Sequence, residues 1–150
     1  MSPHYEYCHT VRPEEIDPVG HVNNVAYVDW MQSAALAHST ALGWPGERYR
    51  RAGCGWVVRS HTIEYLLPAL AGDKVVVRTW VATMRKATSL RRYEMYRAAD
   101  GSLLAKAETL WAFVDYATGQ PRRIPREIAD AYPLASEPGA HENHREGTRP

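Results

Sequence analysis

The sequence predicts an α+β domain in which one long helix packs against an antiparallel sheet. Three observations support this. A single apolar, alanine-rich stretch near the N-terminus has helical spacing. Four long segments of strand character follow it. Only short, turn-like links separate those segments, and short links join antiparallel neighbours. The 150 residues, 45% of them apolar, are enough for one hydrophobic core.

The elements follow in order. Tyr5 to Arg12 alternates, with Tyr5, Tyr7, His9 and Val11 on one side, and reads as a strand. Asp17-Pro18 marks a turn, and Gly20 permits a positive φ. Asn23 or Asn24 can cap the helix, which runs to about Leu42 and stops at Gly43. Its face is Tyr27, Val28, Met31, Ala34, Ala35, His38 and Leu42, and Asp29 is its one charged residue. So apolar a helix is expected to be buried over most of its circumference. A loop over Pro45–Gly55 leads to strands at Trp56–Leu67, Lys74–Met84, Ser89–Ala99 and Leu103–Tyr116. A last short helix is expected in "IPREIADAY", with Pro125 near its first turn. One helix cannot cover both faces of such a sheet. The sheet should therefore curl around the helix, and its edges should pair with another subunit. Residues 1–133 form the domain; the tail from Leu134 to Pro150 is polar and predicted to be disordered.

Composition excludes several functions. The net charge is +1, with no basic stripe, so nucleic acid is not an expected partner. Two cysteines without CxxC spacing argue against a disulfide framework and for a reducing, cytoplasmic setting. No segment reads as a signal peptide or a membrane span. The histidine pair of "HENH", His141 and His144, has neither zinc-hydrolase spacing nor a third ligand, so no metal site is expected.

The stretch "DPVGHVNNVAYVDW", followed in register by "IEYLLPALAGD", "AKAETLWAFVD" and "TGQPRRIP", resembles the acyl-CoA thioesterases of the 4-hydroxybenzoyl-CoA thioesterase type. The similarity spans roughly Tyr5 to Ile128. It implies the hotdog fold, a long central helix wrapped by a five- or six-stranded antiparallel sheet. It also implies a homodimer whose two sheets join, often paired into a homotetramer, with active sites at the dimer interface. The substrate would be an acyl-CoA or an acyl carrier protein thioester, with coenzyme A as part of the substrate and no separate cofactor. By motif position the acid is Asp17, as nucleophile or general base, and the oxyanion donor is the Asn24 amide.

The residues fit that chemistry and also a plainer one. Thioester hydrolysis needs an attacking or water-activating group and an oxyanion site. Asp17 offers the first, the unpaired amides of a helix N-terminus offer the second, and Gly20 lets a ligand approach the backbone. Equally, Asp-Pro, Gly and Asn-Asn are ordinary in a turn that leads to a helix cap. His21 either orients substrate or bonds the turn. Tyr27 either lines the acyl pocket or packs in the core, as do Trp30, Trp44 and Trp56. The loop from Trp44 to Trp56 is placed to cap an acyl tunnel. His38, on the apolar helix face, reads as a core or interface histidine. His61 and Glu64 point to opposite sheet faces unless a bulge intervenes, and Glu64 is a possible second acid. In "MRKATSLRR", Arg85, Lys86, Ser89, Arg91 and Arg92 are either binders of coenzyme A phosphates, as the resemblance implies, or a solvated hairpin. The rival functions are an acyl-thioester dehydratase or hydratase and a non-catalytic acyl-CoA sensor.

Overall fold

The computed structural model describes residues 2–135. Strand β1 (Tyr5–Thr10) leads through a 3-10 turn (Pro13–Glu15) to helix α1 (Asn24–Ala41) and a short helix α2 (Gly46–Ala52). Strands β2 (Cys54–Tyr65), β3 (Lys74–Met84), β4 (Thr88–Arg97) and β5 (Leu103–Asp115) follow, then helix α3 (Arg126–Ala131). The sheet has five antiparallel strands in the order β1-β3-β4-β5-β2. None of the described helices is long and apolar enough to cross a membrane.

Helix α1 lies across one sheet face. Tyr27, Trp30, Met31 and Ala34 are buried against Val75 and Val77 of β3, Tyr93 and Met95 of β4, and Ala105 of β5. Each large apolar side chain removed from water in this way contributes roughly 1.5–3 kcal/mol. Alternation turns Ser89, Arg91, Tyr93 and Met95 of β4 toward the helix side. A second cluster sits beyond the C-terminal half of α1, where Trp44, Tyr49, Val81, Phe113, Ile128 and Tyr132 pack together.

Two expectations are corrected. The segment read as a loop contains α2; among its charged side chains only Tyr49 is buried, too weak an apolar signal for periodicity. Helix α1 is covered over most of its circumference, as its composition predicts, and one stripe, Val25, Asp29, Gln32, Leu36 and Thr40, is exposed, with Val25 and Leu36 at 70% and 60%. The tail is ordered further than expected: Leu134 bridges Val81 and the Ala135 N–H donates to the Val81 carbonyl at 3.0 Å. His141, His144 and the remainder of the predicted tail lie outside the described residues.

The long edge strand β2 exposes Val57 and Tyr65. Its bulge falls between Val58 and Ser60. His61 and Glu64, beyond the bulge, therefore lie on opposite faces. The His61 Nδ1 meets Thr109 Oγ1 at 2.8 Å on the helix side. Glu64 borders a shallow hollow on the outer face with Arg92, Lys106 and Glu108.

Candidate active site

Asp17 sits in a closed loop between the 3-10 turn and α1. Its N–H donates to the His21 carbonyl at 2.7 Å, the Gly20 N–H donates to the Asp17 carbonyl at 3.0 Å, and Ile16 bridges Val22. Carboxylate oxygen Oδ1 accepts from the Val19 and His21 N–H groups, both at 3.0 Å. Oxygen Oδ2 accepts no hydrogen bond from the described residues. Half of the carboxylate therefore holds the loop and half is open to a ligand. Gly20 has φ 90, and nothing lies within 4 Å of where its Cβ would be. The glycine is required by backbone conformation, and it leaves open space.

The cap of α1 is Asn23. Its Oδ1 accepts from the Ala26 N–H at 2.8 Å, and its Nδ2 donates to the Glu15 carbonyl at 3.0 Å. The cap occupies one orphan amide of the first turn. The Asn24 and Val25 N–H groups are left without a partner among the described residues, on exposed residues at the positive end of the helix dipole. His21 contributes its backbone to the loop while its side chain is exposed.

Sequence reasoning missed the residue that fixes this loop. Glu15 is buried and accepts from His9 Nε2 at 2.8 Å, the Arg12 N–H at 2.9 Å and Trp30 Nε1 at 3.1 Å. Its carbonyl also accepts from the Asn23 N–H. Burial pushes the Glu15 carboxyl up, but the donors from Arg12, His9 and Trp30 outweigh it and hold the group below its ordinary value. The signal was the placement of His9 and Trp30 on the inner sides of β1 and α1.

The remaining candidates divide between three places. Tyr27 is in the core, not in a pocket: it is buried, and its hydroxyl accepts from the Ala69 N–H at 3.0 Å. Trp30 is in the same core. Arg85 and Lys86 are exposed at the β3–β4 hairpin. Ser89 and Arg91 are not on that solvated surface. The pleat of β4 turns both inward, where the Ser89 hydroxyl donates to the Thr83 carbonyl and Arg91 is 4% exposed. There they border a cavity of about 220 Å³. Its walls include Leu36, Trp44, Trp56, Trp111 and Tyr132, with Tyr49 of α2 closing one side. Ser39, Tyr49 and Tyr132 tie that wall together: the Tyr132 hydroxyl lies 2.6 Å from both Ser39 Oγ and the Tyr49 hydroxyl, which accepts from Trp56 Nε1 at 3.0 Å.

A profile of the Thioesterase-like superfamily matches residues 11–132. The chain belongs to that superfamily. It is 30% identical over 115 residues to the acyl-CoA thioester hydrolase YbgC of Escherichia coli O6:H1, covering 77% of this chain and 85% of the relative. The crystal structure of hypothetical protein TT1821 from Thermus thermophilus superposes with a TM-score of 0.78 at 28% identity, covering 85% of this chain and 95% of that one. The DHNA-CoA thioesterase from Staphylococcus aureus superposes with a TM-score of 0.81 at 22% identity, covering 97% and 96%. The five-stranded antiparallel sheet around α1 is the hotdog fold of this superfamily. The matched residues include the Asp17 loop, all of α1 and every strand but β1.

Proposed function

We propose that this superfamily member hydrolyses an acyl-CoA thioester, with Asp17 as the reactive carboxylate and the Asn24 and Val25 amides as the oxyanion site. The observation that carries the reading is that the hydrogen-bonded turn leading into α1 uses only one oxygen of the Asp17 carboxylate, while the first two amides of that helix have no partner among the described residues. In one route Oδ2 attacks the carbonyl carbon and the thiolate of coenzyme A leaves. The resulting anhydride is then cleaved by water. In the other, Oδ2 takes a proton from a water that attacks directly. Both routes put negative charge on the thioester oxygen, where one preorganised donor contributes about 3 kcal/mol.

The measurement is thiol release from a panel of short, long and aromatic acyl-CoAs. At least one is expected to reach a kcat/KM on the order of 10⁴ M⁻¹s⁻¹. Tight binding of the panel without thiol release would make the protein an acyl-CoA sensor. Water addition to crotonyl-CoA in place of hydrolysis would make it a hydratase.

The active unit in this reading is a dimer built on β2. The Asp17 loop is at the N-terminal end of α1 and the aromatic cavity is beside its C-terminal half. Ala35, the first α1 residue of the cavity wall, is eleven residues beyond Asn24, roughly 17 Å along the helix, too far for a short or aromatic acyl group to use both within one chain. Antiparallel self-pairing of β2 about Arg59 and Ser60 would set the Trp56 end of one copy beside the Tyr65 end of the other. The Tyr65 hydroxyl donates to the Asn24 carbonyl at 3.2 Å. A partner's cavity would thus be brought to the Asp17 end. Light scattering is expected to give a mass of two or four chains. Val57→Asp, on the exposed edge, should shift the protein toward monomer and lower hydrolysis with it. A monomer with full activity would sink the shared site.

A further inference from the structure

The aromatic cavity holds a cation that no described residue neutralises. Arg91 Nη1 donates to His38 Nδ1 and to Thr79 Oγ1, both at 3.0 Å. Nε and Nη2 make no hydrogen bond to the described residues, and none of their carboxylates pairs with Arg91. Burial, then the Arg91 charge and His4, pull the His38 pKa down to about 4. His38 is therefore neutral near pH 7 and accepts from the guanidinium without balancing it. Across the cavity, burial and the adjacent Tyr132 hydroxyl raise the Tyr49 pKa, so that side chain is a neutral phenol.

A buried charge without a counterion costs several kcal/mol, and proteins seldom keep one with no partner. The free Nε and Nη2 form the edge of the guanidinium that pairs two-to-two with a carboxylate. The aromatic walls suit a ring or short chain leading to it. About 220 Å³ is below the roughly 300–1,000 Å³ of pockets that hold a whole ligand. It fits an acyl group, not an entire acyl-CoA.

We propose that this cavity is the acyl pocket and that it selects acyl groups ending in a carboxylate, which pairs with Arg91. The inference rests on the acyl-thioester reading above and names the substrate class for it. Two matched pairs test it in hydrolysis: 5-carboxypentanoyl-CoA against hexanoyl-CoA, and 4-carboxybenzoyl-CoA against benzoyl-CoA. The carboxylated member is expected to be favoured on the order of 100-fold in kcat/KM, because the neutral one leaves the guanidinium unpaired. Arg91→Met should abolish the preference and Arg91→Lys should keep part of it. A binding test needs no turnover. Monomethyl hexanedioate should bind at least ~10-fold more tightly than methyl hexanoate, read by tryptophan fluorescence, with the contrast lost in Arg91→Met. Equal treatment of either pair by the wild-type protein would overturn the proposal, as would a preference unchanged in Arg91→Met. If Arg91→Met does not fold, the wild-type pairs and Arg91→Lys still decide. Selective anion binding without thiol release from any acyl-CoA would sink the hydrolase reading and keep the pocket. Hydrolysis with no carboxylate preference would do the reverse.

Discussion

Asp17→Asn is expected to lower kcat by about 10³-fold while leaving the fold and assembly unchanged. The asymmetry comes from the two carboxylate oxygens. Oδ1 accepts from the Val19 and His21 N–H groups, and an asparagine oxygen can accept the same bonds. Oδ2, which has no partner among the described residues, is replaced by an amide nitrogen that can neither attack a carbonyl nor take a proton. Thermal stability of the variant should match wild type. Asp17→Ala, in contrast, removes the acceptor and should also lose about 1 kcal/mol of stability. Near-wild-type hydrolysis by Asp17→Asn across the acyl-CoA panel would leave Asp17 as a turn residue only. One turnover in heavy-oxygen water distinguishes the two routes, since label in Asp17 reports an anhydride.

Much of the fold could be read along the chain, because strand alternation and helix spacing are local. Strands β3 and β5 begin at the residues expected, and α1 begins at Asn24 behind the Asn23 cap. The strand order could not be read: β5 joins β2 to β4, a pairing that depends on contacts far apart in sequence. The Asp17–Asn24 stretch was visible because its chemistry is contiguous. The cavity was not, because α1, α2, β4, β5 and Tyr132 each supply part of its wall. The basic run around Arg91 shows how charge misleads. Arginines 91 and 92 are adjacent, yet the pleat buries one beneath α1 and leaves the other on the outer face, where it pairs with Glu108 at 3.3 Å. Glu15 carried no signal of its own in the sequence: it follows Glu14 in a polar turn, and only the convergence of His9, Arg12 and Trp30 makes it an interior acid.

That convergence gives the largest expected loss of stability. Glu15→Ala leaves Trp30 Nε1, the Arg12 N–H and His9 without their shared acceptor and should destabilise the protein by about 3 kcal/mol, measured by urea unfolding. Glu15→Gln keeps an acceptor oxygen but not the charge, and should lose less. The pH dependence identifies the cause. The folded carboxyl is held below its ordinary value, so its stabilisation is complete above the unfolded pKa, near 4.3. It is lost as pH falls through the lower folded value. The gap between wild type and Glu15→Gln should therefore narrow on acidification from about pH 5; a constant gap would mean that shape, not charge, is what Glu15 supplies. Glu15 also holds the Asn23 cap through its carbonyl at 2.8 Å from the Asn23 N–H. A loosened Glu15 thus frees both the Asp17 loop and the start of α1. Its activity loss should track the unfolding of that loop and be partly restored at lower temperature. The deficit of Asp17→Asn should persist at every temperature at which the protein is folded, since nothing in that variant is loose and the reacting oxygen is absent.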